Sequence, residues 1–236
     1  MVAILTLTDR AQHEPLLERF HAGLYLGAFA AQAEPLEVWK WALWSDEAPY
    51  RMTLQLAVDG DTILGGIAFE LYRRSGCGLV TYVVVAPEAR RGGLGKTLRS
   101  GAARTLYGDG ARAVFGEVND PRAPHSYETA EESWRRLERY QRWGSRVLDI
   151  RYVQPSLGPG LERDRGLVLV RHAGDAPLLA HMPGPVVREF IAEFFAITEE
   201  GRAPGPDGDD ELRAILDGIP DPVRLVELAP GLSPVA

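Results

Sequence analysis

The stretch Tyr82 to Leu106, YVVVAPEARRGGLGKTLRSGAARTL, constrains the fold of this chain more than any other. It begins inside Leu79 to Ala86 (LVTYVVVA), a run apolar or β-branched on both alternating faces, as a strand covered on both sides requires. Pro87 stops that strand, because a prolyl nitrogen cannot donate to a sheet ladder. Glycines at 92, 93 and 95 follow, and a helix then carries Leu94, Leu98, Ala102 and Leu106 to Gly108. Strand, glycine loop and helix start in direct succession make an anion site. Glycines let backbone close on a ligand with no Cβ in the way, and the first helical turn presents unpaired N–H groups at the positive end of its dipole.

The elements around this unit are those of a mixed α/β chain. Val2 to Leu7 reads as an apolar segment, Asp9 as the N-cap of a helix through Leu16, Phe20, Leu24 and Tyr25, and Pro35 as the start of a helix carrying Trp39, Trp41 and Trp44. MTLQLAVDGDTILGGIAFELYRR is a β-hairpin turning at Asp59-Gly60. Ala113 to Val118 is a strand, Thr129 to Trp143 a helix, and Arg146 to Val153 with Leu167 to Arg171 two further strands. Residues 1–175 are read as the main domain. Residues 176–236 are read as an extension docked on it, with a helix over Val186 to Phe195, a short helix near Leu212 to Leu216, a strand at Val223 to Leu228 and an exposed loop at Gly201 to Gly208.

Charge and cysteine content narrow the function classes. Net charge is −7, and from Pro177 onward eleven acids face four arginines, so the extension carries the whole excess and the main domain is neutral. That balance excludes nucleic acid as a partner, since neutralising phosphates takes clustered Lys and Arg. No run approaches the ~18 apolar residues of a membrane span, and the first twenty residues carry charges where a signal peptide is apolar. With Cys77 as the lone cysteine, a reducing cytoplasm is the expected location. No Cys, His, Asp and Glu grouping has metal-ligand spacing, so no metal is expected.

Three phosphate motifs compete for the glycine loop. Gly95-Lys96-Thr97 supplies the end of a nucleotide P-loop, but the first glycine of that motif falls on Arg90. A dinucleotide fingerprint through Gly93 and Gly95 needs a third glycine where Leu98 stands. The third pattern, Arg/Gln-x-x-Gly-x-Gly/Ala after Val-x-Pro, is met by Arg90, Gly93 and Gly95 behind Val85-Ala86-Pro87. Through it the chain resembles the GNAT superfamily of N-acetyltransferases. The resemblance implies a mostly antiparallel sheet with splayed central strands and helices on both faces, covering residues 1 to about 172. It also implies acetyl-CoA as co-substrate: backbone amides of Arg90, Arg91, Gly92, Gly93, Leu94, Gly95 and Lys96 hold the pyrophosphate, while Val83, Val84 and Val85 run beside the pantetheine arm.

A second motif of the superfamily, a helix ending Leu-Tyr-x-x-x-Gly-Phe, resembles Arg139-Tyr140-Gln141-Arg142-Trp143-Gly144-Ser145, which keeps the tyrosine but departs at Arg139 and Ser145. Tyr140 is thereby the candidate acid for the departing thiolate, since a phenol with an ordinary pKa of ~10 holds its proton at neutral pH. Packing beside Trp134 and Leu137 is its alternative role. Glu117 is the first candidate base for the amine and Glu70 the second, against readings as solvated or arginine-paired strand residues. Tyr25, Phe29, Trp39, Trp41 and Trp44 are read as core before acceptor pocket, Arg135, Arg136, Arg139 and Arg142 as a solvated face, and His125 and His172 as loop or packing residues. The expected activity is acetyl transfer to the primary amine of a small molecule or peptide; a non-catalytic acyl-CoA sensor is the alternative, and homodimer formation is left open.

Overall fold

A computed structural model describes residues 1–29, 33–125, 128–158, 160–199 and 208–230. Its packing divides the chain into two units, Met1–Arg73 with Gly78–Asp109, and Arg74–Cys77 with Gly110–Ala236. No helix among the described residues is long and apolar enough to cross a membrane.

In the first unit, Asp9 caps α1 (Arg10–Phe20) by accepting from the Gln12 N–H at 3.3 Å. A π-helical turn, His21–Tyr25, continues it into α2 (Leu26–Phe29) and buries both His21 and Tyr25. Helix α3 (Leu36–Trp44) follows Pro35 and buries Trp39. The strands are β1 (Ala3–Thr6), β2 (Tyr50–Asp59), β3 (Thr62–Tyr72) and β4 (Gly78–Val85), paired antiparallel in the order β1-β2-β3-β4. The β2–β3 hairpin turns at Gly60, whose φ of 55° is what Asp59-Gly60 promised. Leu54, Leu56, Ala68, Tyr82 and Val84 face α1 and α3 in one core with Leu17, Phe20, Tyr25 and Trp39. A Cβ on Gly66 would stand 2.6 Å from the Phe20 ring, so a bare glycine lets α1 lie this close to the sheet. On the other face, α4 (Leu94–Gly108) sets Leu106 against Gly78, where a Cβ would sit 2.7 Å away.

Strand β4 is irregular. Ala68 pairs with Tyr82 but Phe69 with Val80, so Thr81 is an extra residue, a bulge that bends the strand. Its hydroxyl is buried with no hydrogen-bond partner among the described residues.

The second unit holds β5 (Val114–Asn119), β6 (Arg146–Leu148), β7 (Leu167–Arg171), β8 (His181–Met182) and β9 (Val223–Val226), antiparallel in the order β5-β7-β6-β9-β8. Its helices are α5 (Ala130–Arg142), α6 (Gly184–Thr198) and α7 (Asp210–Asp217). Thr129 starts α5 with a reciprocal capping box to Glu132. The strand expected over Arg146 to Val153 stops at Leu148: the Asp149 N–H turns to the Arg224 carbonyl at 3.0 Å and the Ile150 N–H back to Leu148 at 2.9 Å.

The acidic extension is woven into this unit. β9 pairs with β6 through Val147 and Val226, and the boundary near 175 falls inside the unit. The Glu193 carboxylate of α6 accepts from the N–H groups of Arg74 at 2.8 Å and Ser75 at 2.6 Å. The expected loop at Gly201 to Gly208 lies outside the described residues except for Gly208.

Candidate active site

The glycine loop takes its shape from three residues. After β4, Pro87–Ala89 form one 3-10 turn, and the Arg90 Nε donates back to the Val85 carbonyl at 3.2 Å. Arg91 then adopts φ 76° and Gly93 φ 79°, and Gly93 caps α4 with no side-chain hydrogen bond. The left-handed turn at Arg91 costs about 1 kcal/mol or more for a residue with a Cβ. No side chain caps the first turn of α4, and the Thr97 N–H closes on the Gly93 carbonyl at 3.1 Å. A Cβ on Gly93 would meet no atom within 4 Å, so protein packing does not demand glycine there. What remains is an exposed cradle of N–H groups at a helix N-terminus, suited to phosphate oxygens. Val84 points into the core with α1 and α3, while Val83 and Val85 lie half-buried on the other face of β4.

Tyr140 sits near the end of α5, half-buried, with its ring stacked on His172 at 5.7 Å and 28° and edge-on to Trp143 at 5.6 Å. His172 is 1% exposed, and its Nδ1 lies 2.8 Å from the Ser145 hydroxyl. A Cβ on Gly116 would fall 2.5 Å from His172 Nε2, so β5 yields its glycine to that ring. The sequence reading missed this arrangement. Its signal was Ser145, a hydroxyl where the resembled motif carries phenylalanine and where the structure supplies a histidine partner.

Glu117 follows Gly116 and therefore projects from the opposite face of β5, away from the Tyr140 and Val118 cluster. Its carboxylate accepts from the Tyr152 hydroxyl at 2.6 Å and the Gln154 amide at 2.8 Å. Burial pushes the carboxyl up to about 7, against the pull of both hydrogen bonds and with Asp164 adding to the rise. The alternatives of a solvated or arginine-paired Glu117 give way to these two neutral partners. Glu70 is buried, whereas Glu117 is half-buried, and it accepts from the Tyr72 hydroxyl at 2.7 Å. Trp39 is fully buried whereas Trp41 is 42% exposed, and Arg135 and Arg136 pair with Glu131 and Glu128. The His125 ring bonds the Asp120 carbonyl at 3.0 Å. No group of three or more potential metal-binding side chains occurs among the described residues.

The comparisons with known proteins follow the geometry. Residues 16–131 match the profile of the acetyltransferase (GNAT) family. No curated protein matches the sequence. Among solved structures, a protein described as a GNAT-family acetyltransferase from Bacteroides thetaiotaomicron superposes with TM-score 0.53 at 22% identity, covering 74% of this chain and 88% of that one. An aminoglycoside 6'-N-acetyltransferase complexed with coenzyme A gives 0.52 at 12% identity, covering 71% and 95%. At these identities the likeness is one of fold. Through residues 16–131, then, this chain matches the acetyltransferase (GNAT) family, and its fold is that of solved acetyltransferases of that family.

Proposed function

We propose that the protein transfers an acetyl group from acetyl-CoA to a primary amine of a small molecule or peptide. The observation that carries this reading is the loop from Arg90 to Lys96, with left-handed turns at Arg91 and Gly93 opening α4 behind a buried strand. Its amides suit the CoA pyrophosphate, in keeping with the coenzyme A held by the aminoglycoside acetyltransferase of like fold. In the reaction the amine nitrogen attacks the thioester carbonyl, the carbon–sulfur bond breaks, one proton leaves the nitrogen and one goes to the sulfur. Two proton-transfer groups are needed, and Glu117 and Tyr140 are our candidates. A carboxyl titrating near 7 is half ionised at neutral pH and suits the base, and a half-buried phenol suits the acid.

The test is a pair of measurements on the full chain. Acetyl-CoA is expected to raise the melting temperature where ATP and NAD do not, and amines from a broad panel are expected to release free CoA thiol. Stabilisation by ATP with Mg²⁺ and none by CoA would sink the reading. Tight CoA binding with no turnover on any amine would favour a sensor.

A further inference from the structure

The loop between β6 and β7 carries the polar partners of Glu117, and the acidic extension grips that loop. Tyr152 and Gln154, on its first arm, donate to the Glu117 carboxylate. Asp164, on its second arm, adds its charge. These are the polar and charged groups that act on the carboxyl, and Leu169 of β7 stands opposite it in the sheet. The two arms meet at an isolated antiparallel bridge, in which the Gln154 N–H donates to the Asp164 carbonyl at 2.8 Å and the Asp164 N–H to the Gln154 carbonyl at 3.1 Å.

Arg163 precedes Asp164 and reaches into the extension. Its Nε and Nη2 make a two-pronged contact with the Glu199 carboxylate at the end of α6, at 2.9 and 2.6 Å. Its Nη1 donates to Asp209 at 3.1 Å and Glu211 at 3.2 Å, and Asp209 in turn caps α7 by accepting from the Leu212 N–H at 3.0 Å. The guanidinium lies over the Phe195 ring of α6, 5.0 Å from its centroid. Glu199 holds the first arm as well, its Oε1 accepting from the Ser156 N–H at 2.8 Å. One carboxylate therefore ties both arms, two residues past Gln154 on one and one residue before Asp164 on the other. Glu199 is 5% exposed, and a shielded arginine fork holds its geometry better than a surface pair. Arg163, Glu199 and Asp209 all lie beyond residues 16–131, so the tie is no part of the matched family region.

We propose that Arg163 is a positioning residue: by tying both arms of the loop to the extension, it fixes Tyr152 and Gln154 on Glu117 and keeps water from that carboxylate. The extension thereby governs when the base of the acetyl transfer carries its proton. The assignment deepens the acetyltransferase reading, and its consequence for catalysis rests on that reading.

Carbon-13 NMR of the glutamate-labelled full chain, with the Glu117 resonance identified by its loss in Glu117→Gln, reads the carboxyl without turnover. In Arg163→Met its midpoint is expected to fall from about 7 by roughly one unit or more, because a loosened loop admits water and relieves the burial that holds the carboxyl up. Arg163→Lys keeps the charge and the stem but loses the fork, and about half that fall is expected. Glu193→Gln, which loosens the same unit at the Arg74 and Ser75 turn, is expected to leave the midpoint in place. An unmoved midpoint in folded Arg163→Met overturns the proposal, and Arg163→Lys decides in the same way should Arg163→Met not fold. An equal fall in Glu193→Gln overturns it too, since general loosening then suffices. An acid limb of kcat/KM that moves with the carboxyl supports both the tie and the base. A carboxyl that shifts as expected in a chain whose kcat/KM has no acid limb supports the tie and removes Glu117 as the base instead.

Discussion

Glu117 and Tyr140 show two ways a single side chain is tuned by its neighbours. The Glu117 carboxyl, raised to about 7 by burial, binds more protons folded than unfolded between the ordinary carboxylate range and that value. Stability therefore falls as pH rises through this window, the cost nearing about 3 kcal/mol above it. Glu117→Gln keeps the shape and the bond from Tyr152, and its NH2 is met once the Gln154 amide turns to offer its oxygen, so it is expected to raise the melting temperature at pH 8 and leave it nearly unchanged at pH 4. If Glu117 is the base, kcat/KM falls on the acid side of pH 7, and the same variant abolishes that limb in a pH–rate profile. For Tyr140, Tyr140→Phe keeps the stacking on His172 and removes the donor. We expect kcat to fall 10²- to 10⁴-fold, about 3 to 5 kcal/mol, with acetyl-CoA affinity held. A fall under about threefold would return Tyr140 to packing alone. At this scale the sequence was a partial guide. Spacing to Gly144 singled out Tyr140, but the Ser145–His172 pair and the Tyr152 and Gln154 hydrogen bonds join residues 27 to 37 positions apart, which local pattern cannot couple.

Elements were more legible than contacts, because periodicity and punctuation are local. Asp59-Gly60 and Pro87 each fixed a boundary by a mechanism confined to a few residues. The Thr81 bulge and the short β6 were not legible. A bulge depends on which residues of β3 lie opposite, and β6 ends where Arg224, far along the chain, takes the Asp149 N–H. The phosphate loop is the element on which function turns. Gly93 stands at φ 79° with open space beyond it, so Gly93→Val introduces strain and fills the cradle without displacing protein atoms. Loss of CoA binding by calorimetry, at a modest cost in melting temperature, is the expected result, and full CoA affinity in the folded variant would count against the loop's role.

Across the whole molecule, composition marked the acidic tail but not its place in the architecture. Charge counting separates residues 176–236 from the rest, whereas strand pairing makes β8 and β9 part of the sheet that holds β6 and β7. The Glu193 carboxylate, 4% exposed, takes two backbone N–H groups, one on each oxygen. Glu193→Gln can satisfy one of them and sets its own N–H against the other. A loss of about 2 to 3 kcal/mol in denaturant unfolding is expected, and an unchanged midpoint would show the clamp to be slack. That clamp also imposes an order of events on the growing chain. The turn at Arg74 and Ser75 leaves the ribosome 119 and 118 residues before its anchor. The turn joining β3 to β4 therefore gains its final restraint only once Glu193 has been made.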